Sequence, residues 1–576
     1  MMPDKKSGKR LCLIDVEKIC RTLAMESMAF FSLLVAYAKG SDSDWPSQII
    51  ELINKAGINR SEITGDLDRF STPVALLGVI KRQDNPFAHE NALLKMLHTA
   101  LSRDERFEKD LDLANCKVSC KDWGKIQSME PDIIIELKWF NDEALHPIPE
   151  WVFDEHKPLY RIGTFLRCCL LGSVDWSATN SAFTDQAGYF GLKTSFYKRQ
   201  LGMMHSPEAI NGEQAPMSSW LTGLLFHLLQ WPGVKLHDGG YSWPTQWNLK
   251  SLKELIKKRI EYQKRFYCHN SGIPGYVERV KLDWPEDKSD LKVVMVQSLL
   301  PLKKDFREHG LMLDNANYKA RHRRHVASVA ELILHKVNSQ NSIDDNEFDK
   351  KNNIDLIIWP ELSVSQDDVD ILLRLSDKSG AMIFSGMTFT HLPGVEGPNN
   401  IAKWIVPKKQ ASGRQFITRL QGKGNMMQDE VGKVKPWRPY QLMIELMHPM
   451  FPEKEGFILT GAICYDATDI KLSADLKNKS NSYIVSALNK DVSTFDSMVD
   501  ALYFHMYQHV TLVNTGEFGG SVAKAPYAER YEKLITHVHG ANQVSISSFD
   551  MNMFDFRDIG KSLRSGKKIK TRPAGC

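Results

Sequence analysis

The chain has 576 residues, 42% of them hydrophobic and 25% charged. At roughly 100–200 residues per domain, that length holds two to four domains with cores of their own and excludes a single small module. With 36 Gly, 25 Pro and a net charge of only +4 (74 Lys and Arg against 70 Asp and Glu), fibrous and wholly disordered classes are excluded, and any polyanion contact has to come from a local patch.

The start of the chain, MMPDKKSGKR followed by LCLIDVEKICRTLAMES, intersperses charge with apolar residues and has no small-residue cleavage site, so no secretory signal is read and a cytoplasmic protein is expected. The apolar run Met28–Ala38 is about half of the roughly 20 residues a membrane span needs, and reads as a buried helix. From Leu11 to about Phe140 apolar residues recur at three and four positions, the pattern of stacked helices. The nine cysteines lack the density and regular spacing of a disulfide framework. Cys116 and Cys120 sit four apart without a second Cys or His pair, so neither a metal nor a cofactor is expected.

Pro-rich breaks at His146–Pro158 and His205–Pro216 each precede an apolar helix, with a sub-boundary near residues 145–160. Lys250–Arg265 places Leu252, Leu255, Ile256, Ile260 and Tyr262 among seven basic residues, which predicts a helix with one apolar and one cationic face. Such a face is met by water, by nucleic-acid phosphates or by an acidic partner. The segment Cys268–Asp290, rich in Gly, Pro and charge, reads as a linker closing a mostly helical part at residues 1–285.

Beyond residue 290 the pattern changes to short β-branched runs: LKVVMVQ, IDLIIWPE, GAMIFSGMTF, IAKWIVP, FILTGAICYD, NSYIVSALN, HVTLVNTGEFG and NQVSISSFD. Between the first two lies NANYKARHRRHVASVAELILHKV, a helix of crossover length, so an α/β fold is expected with its chemistry at the carboxyl ends of the strands. Three segments there carry reactive groups. IDLIIWPEL ends a buried strand with Glu361, RLQGKGNMMQDE brings Lys423 on a Gly-flanked turn with Glu430 seven residues on, and FILTGAICYD ends in Cys464. Taken singly, these are a capping carboxylate, a loop lysine and a core thiol; together they supply a base, a cation and a nucleophile.

In order, Gln297 ending the first strand, the PEL at Glu361, Asn399 and Asn400, Lys423 with Glu430, the ICYD at Cys464 and the VNTG at Val513–Gly516 resemble the nitrilase, or carbon–nitrogen hydrolase, superfamily over residues 290–555. The resemblance implies an α-β-β-α sandwich, commonly dimerised, preceded here by a mostly α-helical half and followed by a basic tail at 556–576. It also implies roles. Glu361 takes the proton of Cys464, Lys423 holds the oxyanion with the backbone N–H of Tyr465, and Glu430 orients Lys423 while a thioester forms and is hydrolysed. The substrate implied is a small amide or nitrile. The chain departs from many members in GKGN around Lys423 and ATDIKL after the cysteine, which leaves the substrate class open, and Lys409, Arg414 and Arg419, on the approach to Lys423, read as surface charges of a hairpin ahead of the alternative that they suit an acidic substrate.

Gly188–Gly233 resembles the helical region of nitrilase-bearing, defence-associated bacterial reverse transcriptases. The Asp-Asp pairs, Asp344–Asp345 and Asp367–Asp368, lie in a polar loop and at a helix start and make no polymerase palm, so a partner reverse transcriptase or nucleic acid is the second expectation, with the nitrilase fold as scaffold. No membrane partner is expected.

Overall fold

The structure is a computed structural model that describes residues 152–171, 218–229, 240–341 and 354–574 apart from 393–394, 411–412 and 453–454, together with residues 90, 94, 97, 98, 101 and 148. Met28–Ala38, Cys116 with Cys120, Asp344–Asp345 and most of the helical pattern before residue 148 lie outside the described residues. Those described fall into two compact units, one within Met1–Leu236 and Ser242–Tyr262, the other within His237–Tyr241 and Gln263–Cys576. No helix among them is long and apolar enough to cross a membrane.

In the first unit, α1 (Lys157–Leu171) and α2 (Ser219–Leu229) pack closely at Gly163, where a Cβ would stand 2.8 Å from Leu228 Cβ. The helix α3 (Leu249–Lys264) buries Leu252, Ile256 and Ile260 as its periodicity requires. Its cationic face is smaller than the sequence predicts. Lys250, Lys257, Lys258 and Lys264 are exposed, but Arg259 is buried, its Nε donating to Glu90 Oε1 at 2.8 Å and its Nη2 to Ser218 Oγ at 3.2 Å. Helical spacing alone does not show that a basic residue has a buried carboxylate waiting for it.

The second unit opens with β1 (Gly275–Lys281) and β2 (Asp290–Gln297), then α4 (Lys303–His309), α5 (Ala316–Asn341), β3 (Leu356–Val364), α6 (Val369–Ser379) and β4 (Met382–Met387). The two-residue strands β5 (Thr390–His391) and β6 (Pro398–Asn399) lead into the hairpin of β7 (Ile401–Gln410) and β8 (Gly413–Gly422), followed by β9 (Gln441–Met447) and β10 (Phe457–Ile463). Then come α7 (Ile470–Leu476), β11 (Ser482–Ser486), α8 (Val492–Met506), β12 (His509–Val513), β13 (Ser521–Lys524), α9 (Arg530–Lys533), β14 (Leu534–Val538) and β15 (Ser545–Asn552).

One sheet runs β1-β9-β10-β11-β12-β13-β14 and the other β15-β2-β3-β4-β7-β8. Their inner faces meet. Ser486 Oγ of β11 donates to the Trp359 carbonyl of β3 at 3.0 Å, and Gly461 of β10 leaves room for the Phe384 ring of β4, which a Cβ would approach to 2.5 Å. Helices cover the outer faces, α5 and α6 over the second sheet and α7 and α8 over the first. The architecture is thus an α/β sandwich of α-β-β-α layers. Nearly continuous apolar strands such as LIIWPELSV are what a sheet covered on both faces requires, and every residue of β3 is buried.

The linker expected at Cys268–Asp290 contains β1, which pairs in parallel with β9 from Gly275↔Gln441 to Lys281↔Met447. Its apolar pattern is hidden by Glu278 and Arg279, both buried because both are paired: Arg419 Nη2 donates to Glu278 Oε2 at 2.8 Å, and Arg279 Nε to Glu445 Oε2 at 2.7 Å. The same pairing corrects the reading of Arg419 as a surface charge. Lys409 and Arg414 face each other across the β7–β8 pair, and their side chains lie outside the described residues. At the other end, the basic tail lies along the unit, bridging at Tyr527↔Ile569 and accepting the Tyr507 hydroxyl at the Lys570 carbonyl.

Candidate active site

The β3–β4 ladder supplies Glu361. The strands pair from Leu356↔Met382 to Trp359↔Ser385 and resume only at Val364↔Met387, so Pro360, Glu361, Leu362 and Ser363 bulge out of register. Leu362 takes φ +57°, a left-handed conformation rare for a branched residue. Ser363 Oγ closes the bulge on the Pro360 carbonyl at 2.7 Å. On the neighbouring strand Gly386 is required: a Cβ there would stand 2.4 Å from Glu361 Cα and 2.5 Å from the Pro360 carbonyl oxygen.

Lys423 follows the last residue of β8. Its N–H donates to the Asn400 carbonyl at 3.1 Å and its own carbonyl accepts from Trp437 N–H at 2.9 Å, fixing the backbone on both sides. The turn beyond it is held by Asp466, whose carboxylate accepts Gly424 N–H at 2.9 Å and Asn425 N–H at 2.6 Å and pairs with Arg438 at 3.1 Å. Burial pushes the Asp466 carboxyl up, against Arg438 and the two amides. Since Asp466 lies two residues beyond Cys464, one carboxylate ties the lysine turn to the cysteine turn.

Cys464 is the first residue after β10 and opens a short 3₁₀ turn, Cys464–Thr468, at φ +45°. Strain of this kind, on a non-glycine residue at the carboxyl end of a central strand, is found where geometry serves a site. The thiol is 1% exposed.

These elements bring the predicted groups together. Lys423 Nζ donates to Glu361 Oε1 at 2.9 Å and to Glu430 Oε2 at 2.7 Å, all three being buried. Asn400 Nδ2 bridges the same carboxylates, at 2.8 Å to Glu361 Oε1 and 2.8 Å to Glu430 Oε1. The other oxygen of Glu361 accepts Leu488 N–H at 2.9 Å, and Glu430 Oε2 also accepts Met427 N–H at 2.9 Å. Burial and then the Glu361 carboxylate raise the Cys464 thiol well above its ordinary range, with Lys423 pulling the other way. Burial works to lower the Lys423 ammonium, but the charges of Glu361, Cys464 and Glu430 outweigh it and the net shift is upward. A protonated thiol, a fully engaged carboxylate beside it and a fixed cation form one network. Tyr465 follows the thiol in the chain, its ring 43% exposed.

The motif residues at a distance act through the backbone. Asn514 of VNTG accepts Asn489 N–H at 2.9 Å and donates to the Asn489 carbonyl at 2.7 Å, fixing the loop whose Leu488 N–H holds Glu361. Gln297 Oε1 accepts Ser521 Oγ at 2.7 Å and joins the two sheets. Arg438 and the Leu488 amide were not singled out from sequence: KPWRPY gives no sign of an inward arginine, and a backbone donor leaves no residue signature.

No family model matches this sequence, and no curated protein matches it. Solved structures resemble the fold. A member of branch 10 of the nitrilase superfamily from Saccharomyces cerevisiae is 12% identical, with a TM-score of 0.33 over 46% of this chain and 91% of its own. A CN-hydrolase superfamily protein from Xanthomonas campestris, with an arsenic adduct in its active site, is 13% identical, TM-score 0.32, over 46% and 91%. A variant of the amidase from Nesterenkonia sp. AN1, carrying the acetamide moiety of fluoroacetamide on its active site cysteine, is 13% identical, TM-score 0.32, over 47% and 94%.

Proposed function

We propose that the second unit is a thiol-dependent hydrolase of carbon–nitrogen bonds in small amides or nitriles, with Cys464 as nucleophile. The observation that carries the reading is the buried Lys423, held by Glu361 at 2.9 Å and Glu430 at 2.7 Å beside a thiol that burial keeps protonated. In such a site the thiolate has to be made at the moment of attack. Glu361 takes the proton from Cys464 as sulfur bonds to the substrate carbon, and the displaced electron pair on oxygen or nitrogen is stabilised by Lys423 and the Tyr465 N–H. For an amide, Glu361 returns that proton to the leaving amine. Water, deprotonated by the same carboxylate, then attacks the thioester and releases the acid and the thiol.

Glu430 and Asn400 position the pair: they fix the lysine, while Asn400 and the Leu488 N–H fix the Glu361 carboxylate in one orientation. No observation among the described residues favours use of this fold as a mere scaffold, which has no need of a buried thiol with a base and a cation.

The test is chloroacetamide, an amide-bearing thiol electrophile, with mass spectrometry of the adduct and ammonia release from simple aliphatic amides as a second readout. A stoichiometric adduct on Cys464 that forms in wild type, is lost in Cys464→Ala and slows at least about 100-fold in Glu361→Gln supports the reading. Indifference to Glu361 refutes it.

A further inference from the structure

We infer that His322, with Asp368 behind it, is a positioning residue for Glu361, acting through the backbone of the bulge; the inference rests on the hydrolase reading above. Glu361 stands in a segment removed from its ladder, and the carbonyls of that segment need donors from elsewhere. Pro360 O is served by Ser363 Oγ at 2.7 Å, and Val364 O by Thr388 N–H at 2.8 Å. Ser363 O, two residues past Glu361, is served by a side chain from another layer: His322 Nε2, from α5, at 3.1 Å.

The ring is set by its second nitrogen. His322 Nδ1 lies 3.0 Å from Asp368 Oδ2, which holds the ring so that Nε2 faces the Ser363 carbonyl at 3.1 Å. Asp368 is itself held, its Oδ1 accepting Arg323 Nη1 at 3.1 Å, while Arg323 also reaches Asp370 at 2.8 Å. The Tyr318 ring stacks on the imidazole with centroids 5.9 Å apart. Arg321 is directed to Asp305 at 2.9 Å, and His325 accepts the backbone N–H of Leu299 and Leu300 through Nε2 at 3.2 and 3.3 Å. His322 and Asp368 are 2% and 3% exposed, so this is a buried polar chain running Asp368–His322–Ser363 to the base of the bulge.

A covering helix packed only for stability would meet the sheet with apolar side chains. Here a buried His–Asp pair is aimed at the one stretch of β3 where the catalytic carboxylate and a left-handed residue, Leu362 at φ +57°, sit side by side. The donor fixes where the chain turns back into the ladder, and therefore where Glu361 points.

The test compares chloroacetamide labelling of Cys464 in wild type, His322→Phe, which keeps a ring but no donor, and His322→Gln, which restores one amide donor toward Ser363 O. Thermal unfolding of each is measured alongside. The expected result is a labelling rate at least 10-fold lower in His322→Phe, with at least half of the logarithmic loss recovered in His322→Gln. With any amide the enzyme turns over, the loss falls on kcat and leaves KM within twofold. Equal labelling of all three proteins overturns the positioning role, as does an equal loss in both variants. If His322→Phe does not fold, Asp368→Asn decides in its place: a rate within twofold of wild type overturns the role of the His322–Asp368 pair, and a 5-fold or greater fall supports it. Failure of wild type to label at Cys464 would sink the hydrolase reading instead, so the two failures are distinct.

Discussion

Replacing Gly386 by Ala tests the geometry of the site with one methyl group. The added Cβ would lie 2.4 Å from Glu361 Cα, 2.5 Å from the Pro360 carbonyl oxygen and 2.9 Å from Leu362 N, where ordinary contact begins at 3.4 Å. All three are backbone atoms, so no side chain can swing away and the bulge has to move by about 1 Å. Overpacking of this kind costs about 1–3 kcal/mol of stability. A displacement of about 1 Å at a catalytic group costs on the order of 100-fold in rate. Urea unfolding reads the first, and the chloroacetamide labelling rate of Cys464 reads the second. Gly380→Ala is the control. Gly380 ends α6 at φ +73° with nothing within 4 Å of its Cβ position, so alanine there should cost about 1 kcal/mol for the left-handed backbone and leave labelling unchanged. A Gly386→Ala protein with unaltered unfolding midpoint and a labelling rate within twofold of wild type would refute the close approach and the reasoning drawn from it.

Two further outcomes follow from buried charge. Asp466→Asn should lose about 3–5 kcal/mol in urea unfolding and slow Cys464 labelling, because the buried Arg438 loses its nearer carboxylate and keeps only the longer contact to Asp469 at 3.7 Å, and an amide hydrogen is set against the Gly424 or Asn425 N–H; a loss below about 1 kcal/mol would show the turn to be held otherwise. His509 is buried with no hydrogen-bond partner at either ring nitrogen among the described residues, and burial lowers it to about 4. Its folded value lies below the unfolded value of about 6.5, so its contribution to stability is full above pH 6.5 and is lost as pH falls toward 4, by about 3 kcal/mol. His509→Phe should flatten the fall in unfolding free energy between pH 7 and 4 by about that amount, and an unchanged slope would contradict the burial.

The groups of the site were legible because chemistry restricts which residue types can serve. A carboxylate ending LIIWPEL, a lysine between glycines and a cysteine ending FILTGAIC each stand at the edge of an apolar run, and such runs mark buried strands whatever they pair with. Asn400 was visible only as part of an ordered motif, and its bridging of Glu361 and Glu430 was not. Arg438 and His322 gave no sign, since an arginine in KPWRPY and a histidine in HRRH read equally well as solvated.

What the sequence determined by itself was local: the short β-branched and apolar runs that become strands, a crossover helix within what folds as Ala316–Asn341, and the candidate carboxylate, lysine and thiol at the edges of such runs. Tertiary structure decided which charges are buried. Glu278, Arg279, Arg259 and Arg419 read as polar surface, yet each is held inside by a partner more than 100 residues away in the chain. The physical reason is that hydrophobic burial is written in periodicity along one element, whereas the cost of burying a charge is cancelled only by a specific opposite charge, whose position is set by the fold.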